Sequence, residues 1–308
     1  MKLAFLFAGQ GQQFLGMGQD LYEKYPEVKE VYNTASEVLG YDVLGLREEE
    51  INQTIYTQPA ILTLNHALFR ILETKKIMPS MTAGLSLGEY NALLASGVLS
   101  FPEAISLISR RAKIMSEALE KGTTGMAAVL RLDIDVIRKI LLAYEGKVDI
   151  CNINTHEQVV IGGYLDALEK ASQELKENGA KRVVPLSVSV VSHMSLLQPA
   201  GKLLEEELNT CNFQKPSVPF INNVGAVFQE EGFVDTLSRQ ISEPTRMNET
   251  ILQMLTNGAD TFVEVGPKGS LSGFVRAIAK KEEKEVEVFN IYDEKTVEEV
   301  WERIQLNG

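Results

Sequence analysis

The chain is predicted to be an α/β protein: a larger α/β body over residues 1–122 and 189–308, with a ferredoxin-like βαββαβ unit inserted over 123–188. Three observations lead there. A wholly apolar run after Lys2, ending at Phe7, reads as a strand buried on both faces. Strand patterns then alternate with helical periodicity as far as Gly122. Beyond Gly125 the order becomes strand, helix, strand, strand, helix, strand within about seventy residues, the lower end of domain size.

Taken in order, residues 2–7 form the first strand, and Gly9, Gly11, Gly16 and Gly18 follow it in a glycine-rich loop. Pro59 opens a helix whose apolar positions include Ile61, Leu62, Leu64, Leu68 and Leu72, ending at Lys75 and Lys76. Residues 78–83 read as a short strand and 87–95 as a helix stopped by Gly97. Ser100 and Glu103 have capping-box spacing, with Pro102 in the first turn of a helix reaching about Lys121. The inserted unit is read as strand 126–132, helix 134–144, strands 148–153 and 159–162, helix 166–178 and strand 182–188. A helix over 199–209, a strand near Phe220, a helix over 248–257 and a strand over 261–265 follow. The charge-rich stretch from Glu282 reads as a solvated helix.

With 44% hydrophobic and 23% charged residues in 308, the chain can bury a sizeable core, which excludes a disordered or fibrous protein. A formal net charge of −12 excludes a phosphate-backbone binder, so no nucleic acid partner is expected. The apolar stretch from Leu3 to Ala8 is too short to span a bilayer and lacks a signal-cleavage region, so a cytoplasmic protein without membrane association is expected. Cys151 and Cys211 lie far apart with no metal-ligand spacing, so neither a metal site nor a disulfide is expected.

Chemistry enters at Gly84-Leu85-Ser86-Leu87-Gly88, a GxSxG between a predicted strand and a predicted helix. The small residues permit a sharp turn that exposes the Ser86 hydroxyl, and the following helix start aims free N–H groups at a developing oxyanion. A serine needs a base, and the chain holds three histidines. His66 reads as a half-buried helix residue and His156 as a solvated loop residue. His193 follows a strand-like run where the chain leaves the insert, and is the best-placed base. Forty-two acidic residues offer too many orienters for a third member to stand out, and a backbone carbonyl would serve as well. On the helix after Pro102, Arg111 lies roughly 70° from the centre of the apolar face and Arg110 roughly 170° away. Arg110 is an ordinary solvated charge, whereas Arg111 borders the core and needs an anion, from the protein or from a ligand. The loop after the first strand has no GxGxxG spacing, which excludes a dinucleotide fingerprint. It can still present an N–H beside the serine.

Six segments together resemble the malonyl-CoA:acyl carrier protein transacylase family. They are Phe7-Ala8-Gly9-Gln10-Gly11-Gln12-Gln13, Gly84-Leu85-Ser86-Leu87-Gly88-Glu89-Tyr90, Arg110-Arg111-Ala112-Lys113-Ile114-Met115, Gln158-Val159-Val160-Ile161-Gly162-Gly163, Val190-Val191-Ser192-His193 and Glu264-Val265-Gly266-Pro267. The resemblance implies an α/β-hydrolase-like core with a ferredoxin-like subdomain, Ser86 as nucleophile and His193 as general base and acid. It implies that Arg111 receives the malonyl carboxylate, that the N–H groups of Gln10 and Leu87 form the oxyanion hole, and that Gln58 lies near the pocket. The implied substrates are malonyl-CoA and acyl carrier protein, used by a monomer without a cofactor. A polyketide-loading acyltransferase or a serine thioesterase would share the same dyad. Leu85 stands where the family often has histidine. The segment Glu243-Pro244-Thr245-Arg246-Met247 resembles a stretch that orients the histidine through a main-chain carbonyl, with Met247 in place of a common tryptophan, and the orienting residue stays open.

Overall fold

The computed structural model describes residues 1–186, 188 and 190–307. In chain order its strands are β1 (Leu3–Phe7), β2 (Met81–Gly84), β3 (Thr124–Leu130), β4 (Val148–Thr155), β5 (Gln158–Tyr164), β6 (Arg182–Pro185), β7 (Thr261–Val265) and β8 (Glu287–Ile291). They form two separate four-stranded sheets in a mixed α/β chain. One is parallel, in the order β2-β1-β7-β8, and the other antiparallel, in the order β4-β5-β3-β6.

β1 is central in the parallel sheet, which explains its unbroken apolar sequence: helices cover both faces, so neither face tolerates polar residues. One of those helices, Thr54–Thr74, packs along Phe101–Glu117 and buries Leu64, Leu68 and Leu72. It starts five residues before Pro59 rather than at it. The Thr57 hydroxyl donates to the carbonyls of Ile51 and Gln53 at 2.6 and 2.9 Å, so the first turn is held without a proline start. The Ser100/Glu103 capping box forms as expected, and the helix it starts ends at Glu117, short of Lys121.

The antiparallel sheet carries the βαββαβ order expected from the sequence, with helices Ile134–Leu141 and Leu165–Glu177 between its strands. β6 ends at Pro185; the expected continuation to 188 and the boundary at 189 involve Ser187 and Ser189, which lie outside the described residues. Residues near Phe220 form isolated bridges, one beside Thr82 of β2, rather than a full strand. The expectation of a single solvated helix after Glu282 is corrected. β8 comes first and closes the edge of the parallel sheet, and the helix follows at Glu294–Asn307. Glu285 and Glu287 alternate with Val286 and Val288, a period-two pattern, and Phe289 and Ile291 pack on the opposite face of this edge strand. Among the described residues no helix is long and apolar enough to cross a membrane. Cys151 is buried and Cys211 only partly so, and both thiols are free.

The segment around Thr245 joins the two sheets. It bridges the edge of β4, with Ile153 N–H donating to the Thr245 carbonyl at 2.8 Å and Thr245 N–H to the Cys151 carbonyl at 3.0 Å.

Candidate active site

Register in the parallel sheet sets the site. Phe7 pairs with Gly84, so β1 and β2 end side by side and release two loops at the carboxyl edge of the sheet. The Leu85 N–H donates to the Phe7 carbonyl at 3.0 Å, and the chain turns at once into the helix Gly88–Ala95. Only glycine fits at either end of that turn. A Cβ on Gly84 would lie 2.0 Å from the Gly88 carbonyl oxygen, and one on Gly88 would lie 2.1 Å from that of Phe7. Ser86 itself sits at φ 54°, in the left-handed region that costs a non-glycine residue on the order of 1 kcal/mol. Asn223 holds it there, accepting from the Ser86 N–H at 2.7 Å and donating to the Gly84 carbonyl at 2.6 Å.

Ser86 and His193, far apart in sequence, meet. The Ser86 Oγ and His193 Nε2 are 2.7 Å apart, and His193 Nδ1 lies 2.7 Å from the main-chain carbonyl oxygen of Gln240. That carbonyl accepts from Nδ1–H, leaving Nε2 as the acceptor facing the hydroxyl. The stretch 243–247, where the resemblance pointed for this carbonyl, begins three residues later; its Thr245 bridges the edge of β4, and the Glu243 backbone joins the Gln240 carbonyl in working against the lowered His193 pKa. Burial, helped by the Arg111 charge, holds the imidazole down at about 4, although the Gln240 carbonyl works the other way.

Arg111 is 1% exposed, deeper than the core edge where helical phase put it. Its Nη1 donates to Gln58 Oε1, and its Nη2 donates to Gln240 Oε1 at 2.9 Å and to Ser86 Oγ at 3.2 Å. Its face-on neighbour is the Tyr90 ring, 5.5 Å from the guanidinium carbon. The guanidinium is thus met by neutral acceptors, and burial pulls its pKa down. Arg110, one residue earlier, pairs at the surface with Glu207 at 2.9 Å.

The loop after β1 passes over the elbow: a Cβ on Gly9 would fall 2.5 Å from the Leu85 carbonyl oxygen. Among the described residues, the N–H groups of Gln10 and Leu87 donate no hydrogen bond within the chain, so both are free for a ligand oxygen.

The other two histidines stay apart. His66 lies on the helix Thr54–Thr74 and is buried, not half-buried, stacked on Phe101 at 4.5 Å and 11°. His156 is in the β4–β5 turn. The sequence did not reveal Gln240, Asn223 or the role of Glu89. Glu89 is buried within the quoted elbow motif, accepting from Gln240 Nε2 and, at 3.1 Å, from the Asn223 N–H. Adjacency to the elbow was the one available signal for Glu89; Gln240 and Asn223 had none. Among the described residues no group of three or more His, Cys, Asp or Glu side chains could hold a metal ion.

Comparison with known proteins adds a second line. Residues 4–296 match the family described as acyl transferase domain. The chain is 39% identical over 306 residues to the malonyl CoA-acyl carrier protein transacylase of Bacillus subtilis (strain 168), covering 96% of this chain and 95% of that one. Against the protein of the same name from Escherichia coli (strain K12) it is 41% identical over 286 residues, covering 90% and 93%. Among solved structures it is similar to the MCAT of Streptococcus pneumoniae, with a TM-score of 0.93 and 42% identity over 98% of this chain and 100% of that one. It is also similar to a malonyl-transacylase solved with a type II PKS acyl-carrier protein, with a TM-score of 0.94 and 36% identity over 98% of this chain and 100% of that one.

Proposed function

The chain belongs to the malonyl CoA-acyl carrier protein transacylases of the acyl transferase family, and from that membership we propose that it moves a malonyl group from coenzyme A to the phosphopantetheine thiol of acyl carrier protein, through a malonyl ester on Ser86, for fatty acid synthesis. The observation that carries this reading is the buried Arg111 guanidinium, held by neutral acceptors 3.2 Å from the Ser86 hydroxyl. A cation taken out of water without a carboxylate partner is costly, and a carboxylate at the end of a short acyl group relieves that cost beside the nucleophile. Gln58 fixes Arg111 from the far side.

In the first half-reaction Ser86 Oγ attacks the thioester carbonyl carbon while His193 Nε2 takes the hydroxyl proton. The negative charge that develops on the carbonyl oxygen is met by the Gln10 and Leu87 N–H groups. The carbon–sulfur bond then breaks, and coenzyme A leaves with the proton from His193. In the second, His193 removes the proton of the carrier thiol, whose sulfur attacks the ester and returns Ser86 with its proton. Burial keeps the imidazole neutral at neutral pH, and the Gln240 carbonyl stabilises the imidazolium as it forms. The thioester is already activated, so these steps use the chain's own side-chain and main-chain groups and no cofactor. An α/β-hydrolase-like core over 1–122 and 189–308, a ferredoxin-like subdomain over 123–188 and a cytoplasmic location complete the proposal.

Initial rates measured while varying both substrates test it. Parallel double-reciprocal lines are expected, because coenzyme A leaves before the carrier reacts; intersecting lines would contradict the ester. Hydrolysis faster than transfer at saturating carrier would make the protein a thioesterase.

A further inference from the structure

We propose that Glu89 is a positioning residue that locks the side-chain amide of Gln240 in the one orientation that holds Arg111 for a carboxylate-bearing acyl group, and thereby sets acyl selectivity. The inference rests on the malonyl-transfer reading. Glu89 follows Ser86 by three residues and is 1% exposed. Its Oε2 accepts from Gln240 Nε2 and its Oε1 accepts from the Asn223 N–H. Gln240 Nε2 also donates to the Ser86 carbonyl at 2.9 Å, so both amide protons are engaged and Oε1 is left facing Arg111 Nη2 at 2.9 Å.

An ionised carboxylate can only accept. While Glu89 is charged, turning the Gln240 amide over would set its oxygen against both the carboxylate and the Ser86 carbonyl and its NH2 against the guanidinium, three repulsive contacts among buried groups. Gln240 therefore serves twice, its main chain orienting His193 and its side chain orienting Arg111, and Glu89 governs the second task. Asn223, the other partner of Glu89, holds the Ser86 elbow.

Protonation of Glu89 weakens the lock, because a neutral carboxyl can donate as well as accept, and only the Ser86 carbonyl and the Arg111 guanidinium are then left to hold the amide. Burial pushes its pKa up to about 7, against the hydrogen bonds from Gln240 and Asn223 and the charge of Arg111. The ionisable groups facing it are Arg111 on the helix Phe101–Glu117, His193 across Gln240, and Tyr90 on its own helix. Arg111 stays charged, His193 is held neutral by its pKa of about 4, and Tyr90 is pushed up by burial, so Glu89 is the member of this cluster that titrates near neutrality.

The test follows the rates of Ser86 acylation by malonyl-CoA and by acetyl-CoA between pH 6 and 8.5, read as mass increments on the intact protein. Their ratio cancels titrations common to both donors, such as those of coenzyme A. For the unmodified protein the malonyl-to-acetyl ratio is expected to rise about tenfold with pH, with a midpoint near 7. Glu89→Gln, which cannot offer two acceptor oxygens, is expected to give a pH-independent ratio about tenfold lower at pH 8.5. A cooperatively melting Glu89→Gln variant with the original ratio and profile would overturn the proposal, as would equal loss for both donors. Should that variant not fold, a flat ratio in the unmodified protein overturns it by itself. Failure of the unmodified protein to acquire any malonyl adduct would instead remove the transfer reading beneath it.

Discussion

Two regions of the molecule bury an imidazole, and they differ in what the ring nitrogens touch. His193 and His66 are 2% and 8% exposed, and burial holds them at about 4 and about 3. By burial and acidity alone they are near twins. His193 has the Gln240 carbonyl on Nδ1 and the Ser86 hydroxyl on Nε2. His66 stacks on Phe101 beside a cavity of about 360 Å³ that Glu30, Arg70 and Glu73 also line, and among the described residues its Nδ1 has no partner. The comparison teaches that burial and a lowered pKa do not separate the two rings, whereas the acceptor that fixes the tautomer and the hydroxyl within reach do, which is why His193 is the proposed base.

Removing that connectivity should have the largest effect. Ser86→Ala or His193→Ala is expected to lower malonyl transfer by about ten-thousandfold, and the double variant hardly further, because the two act as one unit. Steady-state transfer assays check this; losses that multiply would separate the two residues. An intermediate effect is expected at the cation between them. Arg111→Ala should cost about 3 to 5 kcal/mol in malonyl transfer and far less in acetyl transfer, measured as kcat/KM for each donor. An unchanged preference would leave Arg111 a purely structural charge.

The smallest effect belongs to the other imidazole. His66→Phe keeps an aromatic ring on Phe101 and should leave transfer within about twofold of the unmodified protein, since His66 touches no reacting group. It should still change the acid side of the stability profile. A buried neutral histidine binds fewer protons folded than unfolded between its folded pKa of about 3 and the ordinary 6.5. Stability therefore falls as pH drops below 6.5. Thermal melts at pH 7 and pH 5 should show this acid loss reduced by about 1–2 kcal/mol in the variant. An undiminished loss would place the titration elsewhere.

The sequence carried the parts of the site that depend on local rules. GxSxG between a strand and a helix needs glycine where backbone meets backbone, and Gly84 and Gly88 are such places. Helical phase distinguished Arg111 from Arg110, and the structure buries one and leaves the other paired at the surface. His193 emerged because there were few competitors and one good position. What stayed hidden depends on long-range contact. Gln240 ends the amphipathic helix Phe233–Gln240 with no local mark of its role, and Asn223 reaches the elbow across 137 positions of sequence. The segment 243–247 carried a family signature; here its Thr245 pairs with β4 and its Glu243 backbone acts on the imidazole, while the 2.7 Å partner of Nδ1 is a carbonyl three residues upstream of it. β8 was missed because its charges, acceptable on an edge strand, obscured its alternation.

The account is tested most directly by mixing the protein with malonyl-CoA alone, quenching, and mapping the adduct by peptide mass spectrometry. One malonyl group on Ser86, discharged when carrier protein is added, is the predicted result. An adduct on any other residue, or none while transfer proceeds, would contradict it.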